Sequence, residues 1–308
     1  MWRKSEICAT FYFMPRRYPF FQIDVFTDRP LGGNPCAVIL DCADLPDSTL
    51  QALAHEMNLS ETAFVWAQAD GRFRARYFTP AEEIPLAGHP TLAAVFALAA
   101  SGRLKLDSYL KIPLELRDGP IDVEIFAQNG AAQRVVMSQR KPQFLRRYNA
   151  EEVLPAFGLS PADALPGAPL QTVSTGTPQL MIPLRGLDAL RRAALDIPRY
   201  TQLDQRGDFF DAHLFCLGGV ERGQTFARHF DLPPDTPEDP FTGSATGGMA
   251  AYLWRYGLLA SPHFSAEQGH WMNRPGIASV EIIGPREDIQ TVKVGGQAVI
   301  VLRGELML

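Results

Sequence analysis

Apolar and polar positions alternate along this chain in short runs, and the runs predict mainly strands. Residues 20–26, 36–40, 61–67 and 72–78 are rich in β-branched and aromatic side chains. In the last of these, Arg72, Arg74 and Arg76 alternate with Phe73, Ala75 and Tyr77, the period of a half-buried strand. Asp47 is placed to cap a helix ending near Met57, with Leu50, Leu53, Ala54 and Met57 on one face. Further strands are predicted at 110–116, 121–127 and 134–139. After a polar stretch at 141–148 the same grammar returns: a helix at 150–157, strands at 170–174, 179–184, 213–217 and 224–230, a helix after Ser244, and strands at 279–283 and 298–302.

Two segments break the amphipathic rule. Residues 91–100 read TLAAVFALAA and residues 246–259 read TGGMAAYLWRYGLL, both almost without charge, as expected of helices buried on all sides. Their approaches match as well. Glu83-Ile84-Pro85-Leu86-Ala87-Gly88-His89-Pro90-Thr91 aligns with Glu238-Asp239-Pro240-Phe241-Thr242-Gly243-Ser244-Ala245-Thr246, and Arg76-Tyr77-Phe78 resembles Arg228-His229-Phe230. Each segment ends at a second glycine, Gly102 and Gly257. Matches in the same order, half a chain apart, predict an internal duplication.

Composition narrows the function classes. The 308 residues carry a net charge of −5, and the basic runs are no longer than pairs such as Arg16-Arg17, so phosphate-backbone binding is disfavoured. No stretch approaches the ~18 continuous apolar residues of a membrane helix. Cys8, Cys36, Cys42 and Cys216 form no CxxC pair and no metal-ligand spacing, so reduced thiols in a cytoplasmic protein and no metal are expected. Residues 1–19 read as an N-terminal extension, with Met14 a candidate start.

The two helix starts carry the chemistry. A helix N-terminus exposes unpaired N–H groups and about half a positive charge. Gly88 and Gly243 would let a ligand approach the backbone, while His89, Ser244, Thr91 and Thr246 add polar groups. Two such starts at one cleft predict a carboxylate-binding site; ordinary capping is the alternative.

These residues identify a family. The segments DVFTDRPLGGNPCAVIL at 24–40, MNLSETAFV at 57–65, YFTPAEEIPLAGHPT at 77–91, EDPFTGSATGGMAAYL at 238–253, EQGHWMNRPG at 267–276 and VKVGGQAVIVLRGEL at 292–306 resemble the PhzF-like proteins of phenazine biosynthesis, which share the diaminopimelate epimerase fold. The resemblance implies an α+β fold of two pseudo-symmetric lobes, each a strongly curved, mostly antiparallel sheet wrapped around a central buried helix. The lobes would span residues 20–141 and 142–308, with the last strand crossing back to the first lobe. It also implies a site between the lobes, no cofactor, and a homodimer. By position, Glu61 of NLSET would move the proton, and His89, Asp239 and Ser244 would line the site.

A glutamate can remove and return a proton on carbon if burial raises its pKa toward neutrality, and Glu61 lies among Leu59, Ala63, Phe64 and Val65. His89 could stabilise developing negative charge; Asp239 could orient His89 or accept from a substrate amine or hydroxyl. Diaminopimelate epimerases and proline racemases use two cysteines at these helix starts, where this chain has His89 and Ser244, so thiol-based racemisation is excluded. A Ser244–His89–Asp239 triad is disfavoured because TGSATGG lacks the G-x-S-x-G elbow. The rival reading is a non-catalytic protein that binds small acids on the same fold. Trp66, Phe78 and Phe241 are candidate pocket walls.

Overall fold

The computed structural model describes residues 15–308. The first half contains β1 (Arg17–Val25), β2 (Asn34–Leu40), α1 (Asp47–Met57), β3 (Glu61–Ala67), β4 (Phe73–Phe78), β5 (Glu83–Ile84), α2 (Gly88–Ala100), β6 (Tyr109–Glu115), β7 (Ile121–Gln128) and β8 (Ala131–Ser138). The second contains β9 (Gln143–Tyr148), α3 (Ala150–Val153), β10 (Leu170–Ser174), β11 (Pro178–Pro183), α4 (Leu187–Arg192), α5 (Ile197–Asp204), β12 (Asp211–Leu217), β13 (Thr225–Phe230), β14 (Glu238–Asp239), α6 (Gly243–Arg255), β15 (His263–Gln268), β16 (Gly276–Ile283), β17 (Thr291–Gly296) and β18 (Ala298–Met307). The fold is α+β, and all the strands join one strongly curved sheet.

Strand pairing runs through the chain twice in the same order. Strands β2 and β3 pair parallel, β3 with β4 and β4 with β5 antiparallel, and β4 with β6 parallel. Strands β11 and β12 pair parallel, β12 with β13 and β13 with β14 antiparallel, and β13 with β15 parallel. The registers correspond: Ala63 faces Tyr77, which faces Ile84, while His213 faces His229, which faces Asp239. Even the ion pairs repeat, Arg76 with Glu83 and Arg228 with Glu238. Strands β8 and β17 join the two sets, and β18 returns to pair with β1.

Helices α2 and α6 are the cores of this arrangement. Every residue of α2 from Gly88 to Leu98 is buried, and Leu92, Val95 and Phe96 pack in one apolar cluster with Met249, Tyr252 and Leu253 of α6. Gly102 and Gly257 follow the two helices at φ of 74° and 69°, the left-handed conformation that stops a helix at little cost for glycine. Each helix is non-amphipathic because the sheet surrounds it.

Several boundaries differ from those predicted. β1 starts at Arg17, inside the expected extension, because Arg17–Phe20 find ladder partners in Gly304–Met307; residues 1–14 lie outside the described chain. Asp47 is the first helical residue rather than the cap, and its carboxylate takes Arg76 Nη1 at 2.6 Å. The helix at 150–157 is α-helical only to Val153 and then tightens to 3₁₀ at Leu154-Pro155, since Pro155 has no amide hydrogen to give.

Candidate active site

Glu61 enters the site from the end of a helix. α1 closes on Asn58 in the left-handed conformation (φ 50°), and Leu59-Ser60 lead straight into β3, where Glu61 is the first residue. Its neighbour across the parallel ladder is Cys36 of β2. β2 begins with Asn34, a buried side chain next to His89, the second residue of α2. β14, only two residues long, delivers Asp239 from the other half of the chain.

Asn34 joins these groups. Its amide donates to Asp239 Oδ1 and to the Phe241 carbonyl, both at 2.8 Å, and its nitrogen lies 3.1 Å from His89 Nδ1. Ser60 Oγ donates to Asp239 Oδ1 at 2.7 Å and Thr242 Oγ1 to Asp239 Oδ2 at 2.5 Å. Gln268 supports the loop by donating to the Asp239 carbonyl (2.7 Å) and accepting from the Thr242 amide (3.1 Å). Asp239 therefore reaches His89 through Asn34.

Buried polar atoms are left without partners here, among them Glu61 Oε2, His89 Nε2 and Asn34 Oδ1. The first two face each other at 3.4 Å. Burial holds His89 near pKa 4, so the ring is neutral. Burial, and after it the charges of Asp239 and Asp231, push the Glu61 carboxyl well above its usual range. Glu61 Oε2 thus faces the ring of His89 with neither atom spent on another group.

Gly88 and Gly243 serve a purpose other than the expected one. A Cβ on Gly88 would lie 2.6 Å from the Ser244 amide nitrogen and 2.7 Å from the Gly243 carbonyl carbon. The two helix starts therefore touch, and glycine is required for backbone to meet backbone rather than to admit a ligand. Thr91 and Thr246 do not reach the cleft: their hydroxyls donate to Ala87 O (2.7 Å) and Thr242 O (2.9 Å), one turn back in their own helices. Neither helix has a side-chain cap. Ser244 does line the cleft, with Ser60, Glu61, Thr79, Thr242 and Asp239.

The cleft is narrow, with about 40 Å³ for solvent, room for a few waters. A larger hollow of about 610 Å³ lies elsewhere, between Phe126, Arg134, Phe264 and Lys293, but it contains none of the unpaired buried atoms that mark the Glu61 site. Trp66, Phe78 and Phe241 are not walls: Phe241 is fully buried and stacks on Phe26 at 4.3 Å, while Phe78 and Trp66 pack in the cluster around α1. Ile84, Leu86 and Phe210 supply the apolar wall instead.

Sequence reasoning missed Asn34, Ser60 and a second polar group in the same cleft: Asp211, His229, Asp231 and Asp235. Asp211, His229 and Asp231 bring ligand-type atoms within 4.8 Å of one another, the one such set among the described residues. Within it His229 Nε2 lies 3.2 Å from Asp231 Oδ1 and 3.8 Å from Asp211 Oδ2. The repeat held the signal: Asp211 opens β12 as Glu61 opens β3, and His229 occupies the place of Tyr77.

Comparison with known proteins places the chain in a family. The model of the phenazine biosynthesis-like protein family, PhzC-PhzF, matches residues 23–304. The trans-2,3-dihydro-3-hydroxyanthranilate isomerase of Pseudomonas fluorescens is 34% identical over 93% of this chain and 98% of its own length. A phenazine biosynthesis protein of the PhzF family from Bacillus anthracis superposes with a TM-score of 0.83 at 27% identity, covering 95% of this chain and all of the other. A predicted epimerase from Pseudomonas aeruginosa gives 0.79 at 34% identity, covering 94% and 99%. On the match of the family model along nearly its whole length, and with isomerases and epimerases as its relatives, this chain belongs to the phenazine biosynthesis-like PhzC-PhzF family and is an isomerase-class enzyme.

Proposed function

We propose that this chain is a cofactor-independent isomerase that shifts a proton on a small carboxylic acid, with Glu61 as the acid/base group. The facing pair of unpartnered atoms, Glu61 Oε2 and His89 Nε2, carries this reading. Glu61 in its acid form gives a proton to one carbon of the substrate and, as carboxylate, accepts one back. His89, kept neutral by burial, polarises the site without competing for charge. The substrate carboxylate binds beside Ser244, where two positive helix ends meet. No Lys or Arg lines the cleft, while Glu61, Asp211, Asp231, Asp235 and Asp239 do, which favours a substrate that also carries an amino or hydroxyl group.

The repeated pairing supports two lobes, residues 20–141 and 142–308, with the cleft between them and β18 crossing back. A cleft of about 40 Å³ is too small for a ring acid, so the lobes part to admit substrate and close to exclude water. The working unit is a homodimer, to be checked by light scattering on a sizing column. The catalytic reading is tested by NMR in D₂O with trans-2,3-dihydro-3-hydroxyanthranilate and a panel of small amino and hydroxy acids. Glu61→Gln is expected to lower conversion by about 10³-fold; conversion within tenfold of wild type removes Glu61 from the mechanism.

A further inference from the structure

We propose that Asp211, His229 and Asp231 form a second proton-carrying unit in this cleft, the C-terminal half's counterpart of Glu61. The inference rests on the isomerase reading and extends it. Its basis is positional. Glu61 stands opposite Cys36 at the first rung of the parallel β2/β3 ladder, and Asp211 stands opposite Gln179 at the first rung of β11/β12. One strand further on, Tyr77 of the first half spends its hydroxyl on Thr91 Oγ1 at 2.9 Å. The second half puts His229 in that place and surrounds it with acids: Asp231 Oδ1 at 3.2 Å and Asp211 Oδ2 at 3.8 Å from Nε2. Behind it, Nδ1 lies 3.2 Å from Nδ1 of His213.

Asp211, His229 and Asp231 all line the Glu61 cleft. A structural role would need one ion pair; here two carboxyls share one imidazole beside a cavity that already contains an acid. The titratable groups around His229 are Asp211 and His213 on β12, Asp231, Asp235, Asp239 on β14, Glu61 on β3 and Tyr200 on α5. Burial opposes a charge on His229, but the charges and hydrogen bonds of Asp231 and Asp211 outweigh it and keep the ring an imidazolium. Burial and then the charge of Asp231 raise Asp211 to about 8, and His213, buried and next to the His229 charge, stays neutral and accepts from His229 Nδ1.

The step balances without a co-reactant. Glu61 delivers its proton to one carbon of a C=C bond, whose π pair forms the new C–H bond. A C–H bond at a neighbouring position breaks, its electron pair closing the new C=C bond, and the released proton goes to a carboxylate of the Asp211–His229–Asp231 unit. The product is an isomer; a proton then returns from the unit to Glu61 through cleft water.

Two measurements test this. In protein carrying ¹⁵N-labelled histidine, the His229 signals are identified by their loss in His229→Asn. An imidazolium at pH 7 that becomes neutral in the double variant Asp211→Asn/Asp231→Asn is expected; a neutral ring in wild type, or a signal that moves on adding Mn²⁺ or Zn²⁺, overturns the proposal. With the panel compound that wild type converts fastest in D₂O, Asp231→Asn and the milder Asp211→Asn are expected to cut conversion at least 100-fold with KM within about threefold, while Glu61 still exchanges a proton at its own carbon. Conversion within fivefold of wild type in both variants overturns it. If Glu61→Gln converts normally, the underlying isomerase reading fails instead, so the two failures are separate. Should no compound be converted, the histidine spectrum alone decides.

Discussion

Replacing Gly88 by alanine tests whether the two helix starts must touch. The added Cβ would lie 2.6 Å from the Ser244 nitrogen, 2.7 Å from the Gly243 carbonyl carbon and 2.8 Å from the Gly243 Cα. All three atoms are backbone, so no side chain can swing away. Relief to an ordinary contact of about 3.5 Å requires the helix starts to part by roughly 1 Å. Both helices are buried in the sheet, so that movement disturbs packing at each end, and overpacking of this kind costs about 1–3 kcal/mol. For a chain of 308 residues the melting temperature falls by roughly 2–5 °C. The same displacement separates Ser244 from His89, and a misplacement of about 1 Å can cost 10²-fold in rate. Scanning calorimetry with a Gly304→Ala control, where a Cβ meets nothing within 4 Å, isolates the effect. A Gly88→Ala protein that melts within 1 °C of the control, with unchanged activity, would refute the claim.

Asn34→Ala should leave Asp239 and the Phe241 carbonyl without their shared donor and cost about 2–3 kcal/mol in urea unfolding, together with a loss of activity that Asn34→Asp does not restore. His89 holds a pKa of about 4 when folded against about 6.5 when unfolded, so the unfolded chain binds more protons between these values. Its contribution, on the order of 3 kcal/mol, is present above pH 6.5 and lost as pH falls toward 4; His89→Asn should flatten that part of the melting-temperature profile. Asp211, raised to about 8, acts in the opposite sense: the folded chain binds the extra proton, and stability drains away as pH rises from about 4 to 8. Asp211→Asn should therefore gain on wild type over that range, and a constant offset would contradict the assignment.

The fold was legible where its pattern was strong. Uncharged runs announced α2 and α6, and the paired glycines Gly102 and Gly257 marked their ends. β9, with the sequence QFLRRY, was hidden because it is mostly exposed, so its residues carry no apolar alternation. β15 and β17 were hidden for the converse reason: Ala266-Glu267-Gln268 and Gly295-Gly296 are buried polar or small residues, which carry no apolar signal. The carboxylate of Glu267, for example, takes four backbone amides from Val220 to Gly223. In the site, Glu61, His89, Asp239 and Ser244 stood in recognisable motifs. Asn34 did not, because a bridging amide has no spacing rule of its own. Thr91 and Thr246 looked like ligands only because a helix-start threonine reads the same whether it faces a cleft or bonds back one turn.

The acid content of the cleft follows from the contact between the helix starts. Two positive helix ends brought to backbone contact repel each other by on the order of 1 kcal/mol at an intermediate dielectric. Water cannot screen them, since Gly88 and Gly243 are buried. Carboxyl groups placed beside them reverse that sign, and Asp239, one turn ahead of α6 and held by Ser60, Asn34 and Thr242, is the nearest in sequence. Burial, and after it the charges of neighbouring carboxyls, push Glu61 and Asp211 toward their acid forms. A symmetric scaffold would make both halves alike; the exchange of Tyr77 for His229 and of Ile84 for Asp239 in the second half breaks that symmetry. One half thereby presents a single acid to the cleft, Glu61, and the other the set Asp211, His229 and Asp231.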